Sequence, residues 1–244
     1  MVTNEDHAET VVTGDANCPL PMAHDRFEEA HWFLHQMMDT YHHPAIFRYS
    51  TNAFLSALKA VAEMLRTEMK ANGHEVWVGQ MFERFKADPV LLKFNNSRNI
   101  VIHHRSLLHG SRIETGLFRG RKLKLASRID VDHDADSGDI LSFIQSKWLG
   151  SMLDEGHSAL NEQLGVRRTY LVSEISENED VFTASNRAWS RISSVLSEAH
   201  SLLSSSFPAI SEADRQAHDV DHINLLLEMD IDPGALERWG WLEE

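Results

Sequence analysis

Apolar residues recur along most of the chain in the three-then-four rhythm of amphipathic helices. Phe27, Ala30, Leu34, Met37 and Tyr41 make the first stripe, in a helix expected from Asp25. His43-Pro44 stops it, because the residue before a proline avoids the helical region. A second stripe follows at once through Phe47, Phe54, Leu58, Val61 and Leu65. Ile46, Ala53, Ala57 and Met64 widen it, which predicts a central helix touching several neighbours and ending at Asn72-Gly73. A shorter helix is expected at about 75–87, and a fourth from Asp88-Pro89 to about His109, closed by Gly110. Short connections between these four favour antiparallel neighbours.

Residues 111–137 break the rhythm. Lys122-Leu123-Lys124-Leu125 alternates with period two, and Gly116 and Gly120 punctuate it, as in a β-hairpin. Helix is expected again at about 140–164, through Ile140, Ile144, Trp148 and Met152, with Gly165 as its stop. A short strand at 168–175 and a long helix at 181–205 follow, the latter carrying Trp189, Ile192, Leu196, Ala199 and Leu203 on one face. A last helical piece spans about 212–229. The pattern thus predicts an all-α fold, an antiparallel helical bundle with a small β-hairpin insertion. Its organisation reads as a flexible acidic tail over 1–22, a helical domain over 23–208 with the hairpin at 111–137, and a C-terminal helical extension over 209–244.

Composition narrows this picture. A single cysteine, Cys18, leaves no disulfide framework and no multi-cysteine zinc site, and no role is assigned to it. The N-terminal stretch has neither a basic region nor a long apolar run, and no segment approaches the ~18 apolar residues of a membrane span. A cytoplasmic protein without membrane contact is expected. The formal net charge of −14 argues against a general nucleic-acid binder. That charge is uneven. Arg98, Arg105, Arg112, Arg119, Arg121, Lys122, Lys124 and Arg128 face only Glu114 over 31 residues, a local +7 that leaves −21 on the rest.

The basic stretch begins with Asn95-Asn96-Ser97-Arg98-Asn99-Ile100-Val101-Ile102-His103-His104, late in the fourth helix. An arginine, a polar residue, and a histidine after four to six positions resembles the signature of HEPN domains. Three other arginines have a histidine at such a spacing: Arg26 with His31, Arg128 with His133 and Arg215 with His222. Only Arg98 has Asn beside it within a helix of the bundle. The second helix, from Phe47 to Val61, is also similar to the long second helix of HEPN-like proteins, and the resemblance extends over about 25–205.

The resemblance implies a homodimer that cuts RNA in a shared cleft without a metal or other cofactor. The ribose 2′-hydroxyl would attack the adjacent phosphate. Arg98 and His103 would be catalytic, Asn99 would orient the phosphate or His103, and His104 would assist. Histidine titrates near neutrality and suits acid–base work, and arginine suits a bidentate hold on phosphate. Asn99 and His103 share a helix face, with Arg98 about 140° around from His103. Arg105, Arg112, Arg119, Arg121, Lys122 and Lys124 are the expected RNA contacts. A bacterial defence or toxin role would add a neutralising protein partner.

Two alternatives accompany this reading. Many HEPN-like proteins are non-catalytic and bind RNA, a nucleotide or a protein. Separately, His31, His35 and His42 share a face, and with His103, His104 or His109 they could make a histidine–metal centre in a bundle.

Overall fold

The computed structural model describes residues 18–103, 110–128, 134–148, 162–176, 178–205 and 219–232. The helical part follows the stripes closely. Helix α1 (Pro21–Asp39) buries Phe27, Ala30, Leu34 and Met37, and Tyr41 is buried just beyond its end. Pro21 sits in its first turn, where a missing N–H costs nothing. Leu20 cannot cap the exposed amides, so Glu68 reaches across to accept from the Met22 and Ala23 N–H at 2.8 and 2.9 Å. Helix α2 (Pro44–Ala71) buries its full predicted stripe, though Ile46 faces solvent. Gly73 then takes a φ of +79°, the left-handed conformation that ends helices at little cost.

Helices α3 (Glu75–Ala87), α4 (Pro89–His103) and α6 (Val181–Leu202) complete this body, with α5 (Ser137–Trp148) standing apart on the sheet. Asp88 caps α4 by accepting from the Val90 N–H at 2.9 Å, and it pairs with Arg191 on α6. Phe94 meets Phe54 edge-on at 6.2 Å, which seats α4 on α2. Trp189 of α6 stacks on Phe27 of α1 at 5.0 Å.

The all-α expectation fails. A four-stranded antiparallel sheet in the order β2-β1-β3-β4 makes this a mixed α/β fold. Strand β1 (Gly110–Arg119) pairs along its length with β3 (Glu162–Leu171) on one side and, from Glu114 on, with β2 (Lys122–Arg128) on the other. The hairpin is therefore present, but it is one edge of a larger sheet. After the four-residue helix α7 (Val220–Ile223), β4 (Leu225–Leu227) adds the far edge, followed by α8 (Glu228–Ile231). Three separate stretches of sequence supply the strands, so local pattern alone could not assemble them.

The reason is clearest at Gly165, which the helical reading took as a stop. It lies inside β3, opposite Gly116 of β1 and Leu227 of β4. A Cβ there would stand 2.8 Å from Phe118 Cδ2 and 2.9 Å from Leu227 Cδ2. The glycine exists for that close approach, which lets Phe118, Leu225 and Leu227 bury together on this face. The opposite face of the sheet buries Ile113, Leu117, Leu164 and Val166 against Ile140, Leu141 and Ile144 of α5. Gly165→Ala should destabilise the protein by about 1–3 kcal/mol, because neither buried neighbour has room to retreat. Urea unfolding measures this, and an unchanged midpoint would show that the Phe118 ring yields freely.

β3 also ties the sheet to the helices. Its Tyr170 stacks on Phe47 at 4.1 Å, inside the helical core. No helix among the described residues is long and apolar enough to cross a membrane.

Candidate functional site

Arg98 and Asn99 lie on the C-terminal half of α4, one helical turn past Phe94. Both are partly buried, and Arg98 Nη1 donates to Asn99 Oδ1 at 3.4 Å. Arg98 Nε is buried with no hydrogen-bond partner among the described residues, as is the hydroxyl of neighbouring Ser97. His103 is the last residue of α4. His104, Arg105 and His109 lie outside the described residues.

Sequence reasoning passed over the facing helix. On α2, Arg48 and Asn52 sit four apart, on one helical face. They precede Phe54, which holds Phe94, and α4 runs back along α2 from there. Arg48 Nε and Asn52 Oδ1 are also buried without partners among the described residues. Two guanidinium groups and two amides thus occupy the same end of the α2–α4 pair. The spacing Arg48–Asn52 was visible, but nothing in it pointed to Arg98. An unpaired buried donor typically costs about 1–3 kcal/mol, and more for a charged group. A site with this composition fits an anion with several oxygens, because arginine forks match phosphate geometry.

The hairpin basics have mixed fates. Arg112, Lys122 and Lys124 are exposed. Arg121 is exposed but tied: its Nε donates to the Asp221 carbonyl at 2.8 Å, and its own carbonyl accepts from Arg167 Nη2 at 2.9 Å. That pair of bonds fastens the β1–β2 turn, where Gly120 takes a φ of +54°. Arg119 is exposed at the end of β1 and is also engaged.

The histidines divide. His31 and His35 come together, with Nε2 atoms 3.2 Å apart, and His31 stacks on Trp189. His42 does not join them. It lies past the end of α1, in the turn before α2, with both ring nitrogens buried and only a loose contact to the Ile223 backbone. Burial lowers its pKa from 6.5 to about 4, and the Arg168 guanidinium pushes the same way.

A third histidine group was not foreseen. Cys18 Sγ lies 3.4 Å from His200 Nε2 and 3.7 Å from His24 Nδ1. These come from the segment before α1, the first turn of α1 and the last turn of α6. The six-residue step from Cys18 to His24 was legible, but His200 is 182 residues away from Cys18.

An apolar cavity of about 280 Å³ opens between α2, α3 and α4. Leu55, Leu58, Phe82, Phe85 and Phe94 line it, with Lys59 and Glu63 beside them. Lys86 and Asn95 also line it, and it lies nearer the start of α4 than Arg98 does.

A family model described as bacteriophage lambda protein ea47 matches residues 7–225. No curated protein matches the chain, and no solved structure matches it.

Proposed function

The chain belongs to the family of bacteriophage lambda protein ea47, and for this member we propose a metal-independent endoribonuclease, acting in the cytoplasm as a homodimer. The observation that supports this most directly is the buried Nε of Arg98, without a partner among the described residues, with Arg48 Nε in the same condition on the facing helix. A phosphodiester supplies the missing acceptors and the compensating charge. Arg98 and Arg48 hold the non-bridging oxygens, and Asn99 and Asn52 orient them. His103, five residues along the same helix, removes the proton from the ribose 2′-hydroxyl. The 2′-oxygen then attacks phosphorus, and the bond to the 5′-oxygen breaks. A second histidine, from the other copy in the dimer, returns a proton to that leaving oxygen. The products are a 2′,3′-cyclic phosphate and a 5′-hydroxyl. No metal enters, because the nucleophile belongs to the substrate. The exposed Arg112, Lys122 and Lys124 steer the strand.

The test is cleavage of labelled RNA in EDTA, with folding followed by circular dichroism in the same buffer. Wild type should leave cyclic-phosphate ends. His103→Ala and Arg98→Ala should each slow cutting about 100-fold or more. Cutting that survives His103→Ala, or that needs magnesium, overturns the reading. RNA binding without cutting would favour a non-catalytic module instead.

A further inference from the structure

The cluster of Cys18, His24 and His200 has the layout of a metal site. Zn–S bonds of about 2.3 Å and Zn–N bonds of about 2.1 Å give tetrahedral S···N edges of roughly 3.6 Å. The two observed S···N separations, 3.4 and 3.7 Å, bracket that value. The three candidate ligand atoms all lie within 4.8 Å of one another.

The outer sides of both rings are arranged to match. His200 Nδ1 lies 2.9 Å from the Leu196 carbonyl, so it donates there, and Nε2 is left as a lone pair turned to the thiol. His24 Nε2 faces the Glu28 carboxylate at 3.4 Å, which puts Nδ1 on the thiol side. A carbonyl or carboxylate on the far nitrogen is the usual support of a metal-binding histidine. One cation would engage the sulfur and both ring nitrogens together, at the separations observed.

The site is also enclosed. His200 is 2 % exposed and the His24 side chain 12 %. Cys18 is half-buried against the helical core, so the group is shielded from solvent on most sides.

We propose that Cys18, His24 and His200 bind a zinc ion, with water as the fourth ligand. Its role is a clasp: it fastens the segment before α1 to the last turn of α6. It stands apart from the Arg98 group, since α6 meets the start of α4 at Arg191, more than two turns before His200. Neither proposal depends on the other.

The experiment uses the full chain, freed of any affinity tag, analysed for metal and titrated with cobalt. About one zinc per chain is expected after purification without chelators. Cobalt should give a thiolate charge-transfer band in the near ultraviolet and the intense visible bands of tetrahedral coordination. Cys18→Ser should lose the charge-transfer band while keeping a native circular dichroism spectrum. Glu28→Gln, on the exposed side of α1, should weaken metal binding about tenfold without touching a ligand. Zinc should raise the Tm of wild type and leave that of Cys18→Ser unmoved. Absence of zinc together with a cobalt spectrum lacking the thiolate band overturns the site. So does cobalt binding that Cys18→Ser leaves unchanged. Copper retained in place of zinc overturns the choice of ion.

Discussion

Asp180→Ala should cost about 3–5 kcal/mol, lowering the Tm by roughly 10 °C or more. Asp180 is buried at the start of α6 and accepts three hydrogen bonds. Its Oδ2 takes the Tyr41 hydroxyl at 2.6 Å and the Tyr170 N–H at 2.7 Å, and its Oδ1 takes the Phe182 N–H at 2.8 Å. The last of these is the N-cap of α6, and the other two join α1 and β3. Around them, Tyr170 donates to the Tyr41 carbonyl at 2.9 Å and Arg168 Nη1 donates to the Tyr170 hydroxyl at 3.0 Å. Arg168 is itself fully buried and donates onward to the Ala135 carbonyl ahead of α5. One carboxylate therefore holds the joint between helical body and sheet. Alanine would strand three buried donors, each worth about 1–3 kcal/mol. Asp180→Asn should fall between, because its amide nitrogen must face a donor whichever way it turns. Guanidinium unfolding measures both variants. A loss under about 1 kcal/mol for alanine would show that water replaces the carboxylate.

The helices of the main body were legible because each carries its apolar stripe locally. Phe27 to Met37, Phe47 to Leu65 and Trp189 to Ala199 read directly as buried faces, and they are. The sheet was not legible, for two physical reasons. Leu225-Leu226-Leu227 is too short and too uniformly apolar to show a period, so only its pairing with β3 makes it a strand. Gly165 looks the same in sequence whether it ends a helix or admits a ring, and Phe118 decides between them from 47 positions away. The candidate sites divide in the same way. Arg98 and Asn99 could be singled out from the motif, though the bond between them shows only in the structure. Arg48 and Asn52 come to the same end of the α2–α4 pair only through the packing of Phe54 on Phe94. Cys18 and His200 meet only because α1 and α6 run antiparallel, shown by Phe27 on Trp189 and His24 beside His200.

The same joint should govern the response to acid, with two groups working against each other. Burial raises the Asp180 carboxyl from 3.8 to about 6 despite its donors. Its folded state thus binds a proton more readily than its unfolded state, so this group's contribution to stability falls as pH rises from about 4 to about 6. His42 has the opposite sign. Burial holds it near 4 instead of 6.5, so the unfolded chain takes up the proton first. Its contribution is present in full above about 6.5 and is lost as pH falls toward 4. Each effect comes to about 3 kcal/mol at most, by the usual ~1.4 kcal/mol per pH unit, and over that interval they largely cancel. Single substitutions should uncouple them. His42→Leu removes this buried ring and its loose contact to the Ile223 backbone. Relative to wild type, that variant should gain stability as pH is lowered from 7 to 4. Asp180→Asn should do the reverse and lose more stability than wild type over the same range. The measurement is the difference in unfolding free energy between variant and wild type at each pH, in which the many surface carboxylates drop out. Parallel pH curves for His42→Leu and wild type would mean that His42 titrates normally, with its ring hydrated rather than buried against Arg168.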